Sequence, residues 1–274
     1  MPFEIKLNNG KTLKGIIETL AGFIDETTIN ITPKEFIITA MDPSRISLLK
    51  IVIDKENFDE YECTKETKIG LNLSDLDKIM NRLNQKDIFL LSFEEKEQKI
   101  KIQMKEKDGL RTRTFSLMLL DLESEEIPIE NLYKISYDTI FETDINLLIE
   151  AVKDAEIYSE IIEIKSTDDN NLIFESTGQI GKMEYQISID DLLECIIHQK
   201  SKSAFSIAFL KNILKLGPIT EKLEVSLKDN HPLKLSFGLI GGGIVDYFLA
   251  PRVEEVPDDS WDDEDFDDVD DDEF

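Results

Sequence analysis

Cysteine, histidine, tryptophan and positive charge are all scarce in this chain, and each shortage removes a class of function. Two cysteines, Cys63 and Cys195, cannot build a disulfide framework; one in each half, within strand-like runs, they fit buried, inert thiols in a reducing compartment. The only histidines, His198 and His231, have no Cys or His neighbour at ligand spacing, so no metal and no other cofactor is expected. A phosphate-binding loop is missing too: Gly241-Gly242-Gly243 is not followed by Lys-Ser/Thr and a helix. Ser, Asp and Glu are plentiful, yet no nucleophile motif frames them, so no catalytic residue is assigned and no enzyme is expected. No apolar run approaches the length of a membrane span, and Met1-Pro2-Phe3-Glu4 opens no signal sequence, so neither secretion nor a membrane partner is expected.

The shortage of bases is uneven. The chain holds 31 Lys+Arg against 58 Asp+Glu, a net charge of -27, and residues 254–274 alone hold 14 acids and no base. Such a segment cannot bury enough apolar surface to order itself and is expected to be a disordered tail. No glycine interrupts its acids as a calcium loop requires. A charge run is ordinarily a solvated extension. The sharper expectation is that this one, with Trp261, Phe266 and Phe274, repels other polyanions from the outside of the molecule or competes with basic partners.

What is present is a duplication. At an offset of roughly 132 to 136 residues, Leu13–Leu20 matches Ile145–Val152, Phe36-Ile37-Ile38-Thr39 matches Leu172-Ile173-Phe174-Glu175, and Leu76–Asn84 matches Phe209–Gly217. Each half reads as strand, helix, a run of alternating strands, a second helix and more strands. The helices are expected over Lys11–Leu20, Asp75–Leu83 (capped by Ser74), Asp144–Asp154 and Ser206–Leu216. Residues 1–117 form a first domain, 118–131 an acidic, proline-bearing connector, 132–253 a second domain and 254–274 the tail. Long strands outnumber helices, which gives an α+β class with helices on one side of large antiparallel sheets. Similar domains in a row present similar surfaces in a row, and such a row can close into a ring through further subunits.

Each helix buries an apolar stripe, and the opposite faces carry bases: Lys11 and Lys14, Lys78 and Arg82, Lys211 and Lys215. On the third helix Lys153 stands with Asn146, and Glu150 lies between them. Helix exteriors are commonly charged for solubility. Three of four equivalent helices favouring bases in an acidic protein points instead to a shared surface for phosphates, bound without reading sequence and steeply salt-dependent. No aromatics interleave these bases, which favours duplex over single strands.

The stretches Ile38-Thr39-Ala40-Met41-Asp42-Pro43-Ser44-Arg45-Ile46-Ser47-Leu48, Gly70-Leu71-Asn72-Leu73, Leu119-Leu120-Asp121-Leu122 with Ile127-Pro128, and Tyr247-Phe248-Leu249-Ala250-Pro251-Arg252 carry a family resemblance. In order and spacing the chain resembles the sliding clamps of archaea and eukaryotes, the proliferating cell nuclear antigen family, across residues 1 to 253. The resemblance implies a homotrimeric ring of six domains whose twelve helices line a channel around duplex DNA. It places Lys14, Lys78, Lys153 and Lys215 on the channel, with Lys11, Arg82 and Lys211 nearby, and departs from the more basic pattern at Gly15, Ala21, Asn81 and Glu150. It also implies a partner-peptide pocket under the connector, formed by Met41, Ile46, Leu48, Leu122, Ile127, Pro128, Pro232, Phe248, Ala250 and Pro251. Subunits would join edge strand to edge strand, 110–117 against 181–188, with Arg111, Arg113, Phe115 and Glu184 at the interface. The implied partners are the replicative polymerase, clamp loader, flap endonuclease and ligase. Lys/Glu/Ile-rich composition leans to an archaeal cytoplasm and nucleoid; a eukaryotic source would place the protein in the nucleus. Two other readings stay open: a subunit of a heteromeric clamp, and an acidic chaperone or DNA mimic that binds basic proteins.

Overall fold

The computed structural model describes residues 2–94, 96, 98–122, 127–169 and 171–252; the acidic run 254–274 and connector residues 123–126 lie outside the described residues. The first half runs β1 (Phe3–Leu7), α1 (Lys11–Leu20), β2 (Glu26–Ile31), β3 (Glu35–Met41), β4 (Ser47–Asp54), β5 (Glu60–Cys63), β6 (Thr67–Asn72), α2 (Leu73–Met80), β7 (Asp87–Glu94), β8 (Lys99–Glu106) and β9 (Thr112–Met118). The second repeats that order: β10 (Thr139–Thr143), α3 (Ile145–Glu156), β11 (Ile161–Ser166), β12 (Asn171–Gly178), β13 (Gly181–Ser188), β14 (Glu194–Ile197), β15 (Lys202–Ser206), α4 (Ile207–Ile213), β16 (Thr220–Leu227), β17 (Leu233–Leu239) and β18 (Ile244–Leu249). Strand pairing repeats as well. The sheet β5-β1-β7-β8-β9 of the first half has its counterpart in β14-β10-β16-β17-β18, and β4-β3-β2-β6 has its counterpart in β13-β12-β11-β15.

The halves are joined by one of these borders. β18 pairs antiparallel with β4, from Ile244 opposite Val52 to Leu249 opposite Ser47, and fuses two sheets into one of nine strands. The counterparts of those two strands, β9 and β13, are left as sheet edges. Period-2 burial is the reason the sheets form: Ile100, Ile102 and Met104 on β8, and Leu233, Leu235, Phe237 and Leu239 on β17, all face one core. The helices gather on that inner side, α1 against α2, α3 against α4, and α1 across the domain border against α4 and the turn that follows it. This is the expected α+β architecture with duplicated domains.

Three local expectations are corrected. The cap of α2 is Asn72, whose side chain accepts the Asp75 N–H at 3.0 Å, while Ser74 lies inside the helix. The last helix is α-helical only over Ile207–Ile213; Leu214–Ile219 tightens into a 3-10 turn because Pro218 has no N–H and its ring crowds the preceding turn. The cysteines are half-buried on β5 and β14, not sealed, although burial still pushes both thiols above their ordinary pKa.

Candidate nucleic-acid interface and partner groove

Helix α1 is preceded by its cap Gly10, where a β-carbon would stand 2.5 Å from Leu83, and lays Leu13, Ile16, Ile17 and Leu20 into the core. Its outer face carries Lys11 and Lys14. Gly15 brings α1 against the second domain: a β-carbon there would stand 2.9 Å from Ile219. The departure from a basic residue at this position is therefore a close approach between domains. That approach shapes a cleft of about 320 Å³ in which Lys11, Lys14 and Lys215 converge, with Glu18 among them. Thr12 fastens the same border by donating to the Ile240 carbonyl at 2.9 Å.

The other bases differ in how free they are. Lys78 pairs with Asp75 at 2.8 Å and Lys211 with Glu156 at 2.5 Å. Lys215 donates to Asn212 at 3.3 Å. Lys11, Lys14, Arg82 and Lys153 make no ion pair among the described residues, and Glu150 is exposed on the same helix as Lys153. Asp75 stands three residues before Lys78 on one helix face, so its neutralising effect was readable from spacing. The Glu156–Lys211 pair joins two helices and was not.

On the other side of the nine-stranded sheet lies a second, smaller apolar cluster. Leu48, Ile129 and Phe248 form its buried centre, with Met41, Ile127 and Leu132 packed around them. Leu48 and Phe248 meet because β4 and β18 pair in register, and Met41 because it sits opposite Leu48 on β3. A groove of about 600 Å³ opens beside the cluster, lined by Met41, Leu122, Ile127 and Ile129, with Arg45 and Lys68 at its polar border. Thus Met41, Leu122 and Ile127 line the groove, and Leu48 and Phe248 lie in the cluster beside it. Ile46 packs against the main core instead; its carbonyl accepts the Ala250 N–H at 2.9 Å. Pro128 is exposed, Pro251 is half-buried, and the Pro232 carbonyl accepts the Tyr137 hydroxyl at 3.0 Å. Ile129, Leu132 and Tyr133 were missed, since each follows the proline in a stretch with no clear period. The Tyr133 ring stands edge-on to Phe248 at 5.5 Å, and its hydroxyl donates to Asp246 at 2.8 Å. Burial and that carboxylate push the phenol well above its ordinary pKa.

The entrance to this region is held by a turn. Asp42 is buried, its carboxylate accepting from the Ser44 N–H at 2.9 Å and from the Ser44 hydroxyl and Ser47 N–H, while Arg45 adopts φ +59. Burial alone would raise the Asp42 pKa; the Ser44 and Ser47 hydrogen bonds outweigh it and hold the carboxyl below its ordinary value.

At the open edges, Phe115 points inward with Leu117 and packs partly against the core. Arg113 shares that inward side and is engaged within its own chain, to buried Asp87 and, at 2.7 Å, to the Arg82 carbonyl. Arg111 precedes β9 and approaches Glu106 at 3.8 Å. Glu184 lies on the outward side of β13 beside Lys182 at 3.4 Å, whereas Met183 and Ile187 are the inward residues. Arg113 and Glu184 therefore lie on opposite faces of their sheets.

Comparison with known proteins agrees with this geometry. Residues 2–126 match the model of the proliferating cell nuclear antigen N-terminal domain and 131–252 that of its C-terminal domain. A DNA polymerase sliding clamp of Pyrococcus horikoshii is 31% identical over 259 residues, covering 93% of this chain and 100% of the relative. One from Thermofilum pendens is 30% identical over 244 residues, covering 88% and 95%. The crystal structure of proliferating cell nuclear antigen from Thermococcus kodakaraensis superposes with a TM-score of 0.84 at 25% identity, covering 91% of this chain and all of that one. With both domain models matched in order along nearly its whole described length, the chain belongs to the proliferating cell nuclear antigen family.

Proposed function

We propose that this chain is a DNA polymerase processivity factor. Three copies close head to tail into a ring around duplex DNA, and the ring tethers replication and repair enzymes. It is a scaffold, not an enzyme. The observation that carries the reading is the pair of unsatisfied borders: β9 and β13 are the counterparts of β18 and β4, which already join within the chain.

That internal border supplies a register for the external one. β8 pairs Ile100 with Leu117 as β17 pairs Leu233 with Leu249, and β12 pairs Glu175 with Glu184 much as β3 pairs Thr39 with Lys50. Carrying the β18–β4 register across sets Phe115 opposite Met183 of the next copy, Leu117 opposite Gly181, and Thr114 opposite Glu184. Inward apolar residues then meet inward apolar residues, which closes two long edges that would otherwise invite aggregation.

Around such a ring the helices face the hole. Lys11, Lys14, Arg82, Lys153 and Lys215 are the bases best free to meet phosphates, with Lys78 and Lys211 partly offset by their acids. Contacts of this kind carry no sequence information and slide easily. Retention then comes from encirclement. The outer groove, centred on Met41, Leu48, Ile127 and Phe248, takes a short apolar turn of the polymerase, the loader, a flap endonuclease or a ligase. Native mass spectrometry tests the assembly: three times the 31.5 kDa chain is expected. A monomer at micromolar concentration would contradict a homotrimer and favour a heteromeric ring or an acidic chaperone.

A further inference from the structure

The chain leaves the described fold beside the outer groove. Ala250 donates its N–H to the Ile46 carbonyl at 2.9 Å, and Arg252 donates to the Ala204 carbonyl at 2.7 Å. The residues that follow, 253–274, combine 14 acids with Trp261, Phe266 and Phe274 and hold no base. Aromatic anchors set among acids need an apolar cleft flanked by free cations.

The two outer sheet faces differ in that respect. On the second domain the lysines of β11, β13 and β15 are each answered: Lys165 by Glu175 at 2.7 Å, Lys182 by Glu175 at 2.9 Å, and Lys202 by Glu163 at 2.9 Å. On the first domain, Lys50 stands 5.7 Å from the Tyr133 ring centre and Lys68 borders the groove, and neither has a carboxylate partner among the described residues. Those cations flank the satellite cluster of Leu48, Ile129 and Phe248. Trp261 follows Arg252 by nine residues, an extended reach of about 30 Å.

We propose that residues 253–274 fold back into the outer groove of their own subunit, with Trp261 as the apolar anchor, and act as a built-in competitor of partner peptides. The inference rests on the groove being the partner site. A covalent tether holds its segment at an effective concentration of order 1 mM, so a tail with only millimolar intrinsic affinity half-fills the groove. Partners binding at micromolar Kd displace it, while weaker ones are excluded. The groove is thereby kept from casual apolar contacts, and selectivity is raised by a repulsive element.

Trp261 is the chain's single tryptophan, so its fluorescence reports the tail alone. In the full chain, acrylamide quenching of Trp261 should be about twofold weaker than in a synthetic 253–274 peptide, matching half occupancy. Ile127→Asp, on the half-buried rim, should return quenching to the peptide's value, and Lys50→Glu with Lys68→Glu should move it the same way without touching the apolar cluster. Quenching equal to the free peptide overturns the proposal, as does shielding that ignores all three substitutions. Primer extension by an archaeal replicative polymerase separates the two levels. If Ile127→Asp abolishes stimulation while Trp261 is as exposed as in the peptide, the groove reading survives and the tail proposal falls. If stimulation is unchanged by Ile127→Asp, the groove reading falls and the proposal with it.

Discussion

The border between β18 and β4 is sealed, and the equivalent edges at β9 and β13 are not. Tyr247 and Leu249 on β18 are 1% and 0% exposed, while their counterparts Phe115 and Leu117 remain half-buried. Around the open edges Leu110 is 81% exposed and Ile180 73%, high values for residues of this size. The chain already joins these two strand types once, inside itself. The same two strand types that join covalently linked domains are offered, unjoined, at either end. On the inward side the copies diverge from apolar to charged at one position: Val245 on β18 corresponds to Arg113 on β9, and the arginine is turned back onto Asp87.

Breaking the two borders should give different failures. Tyr247→Ala removes a sealed aromatic and should cost the fold about 3–5 kcal/mol in chemical denaturation. Phe115→Ala should cost the subunit only about 1 kcal/mol yet convert the native mass from three copies to one. Equal loss of subunit stability at both sites, with assembly intact, would refute the equivalence of the borders.

A smaller effect distinguishes the turns that lead into them. The first domain enters β4 through the Asp42 turn, whereas the second enters β13 through Gly178 and Gly181. The Asp42 carboxyl titrates below its ordinary value, so its contribution is present above the unfolded pKa of about 4 and is lost as pH falls through the lower folded value. Asp42→Asn should destabilise the chain by about 1–3 kcal/mol at pH 7 and flatten the loss of stability below pH 4. An unchanged acid limb would mean the turn is held by other groups.

The smallest effect concerns the helix faces. Lys14→Ala and Lys153→Ala each remove a base without an ion-pair partner among the described residues, once in every subunit of the ring, so each should lower the salt slope of duplex binding by up to about 3. Lys78→Ala, already offset by Asp75, should lower it less. Identical slopes for all three would show that local acids do not screen the surface.

Much of this was legible in residues alone. α1 begins and ends at Lys11 and Leu20 as its apolar spacing requires, because period and burial agree there. Legibility failed where a distant neighbour decides. Gly15 reads as a missing base until Ile219 is seen against it. Ile46 reads as pocket wall but belongs to the core. Lys211 reads as a free cation until Glu156 crosses from α3. Asn72 and Ser74 are both capping residue types, and only the position of Leu73 at the first helical turn decides for Asn72.

Retention by encirclement depends on whether the DNA has an end, so closed and open duplexes should behave differently. After loading onto nicked circular duplex, the protein should stay bound through a high-salt wash that removes surface-bound protein. It should then leave promptly when a restriction cut supplies an end. Equal retention before and after linearisation would mean that the lysine-lined helices grip DNA from one side, and that no ring surrounds it.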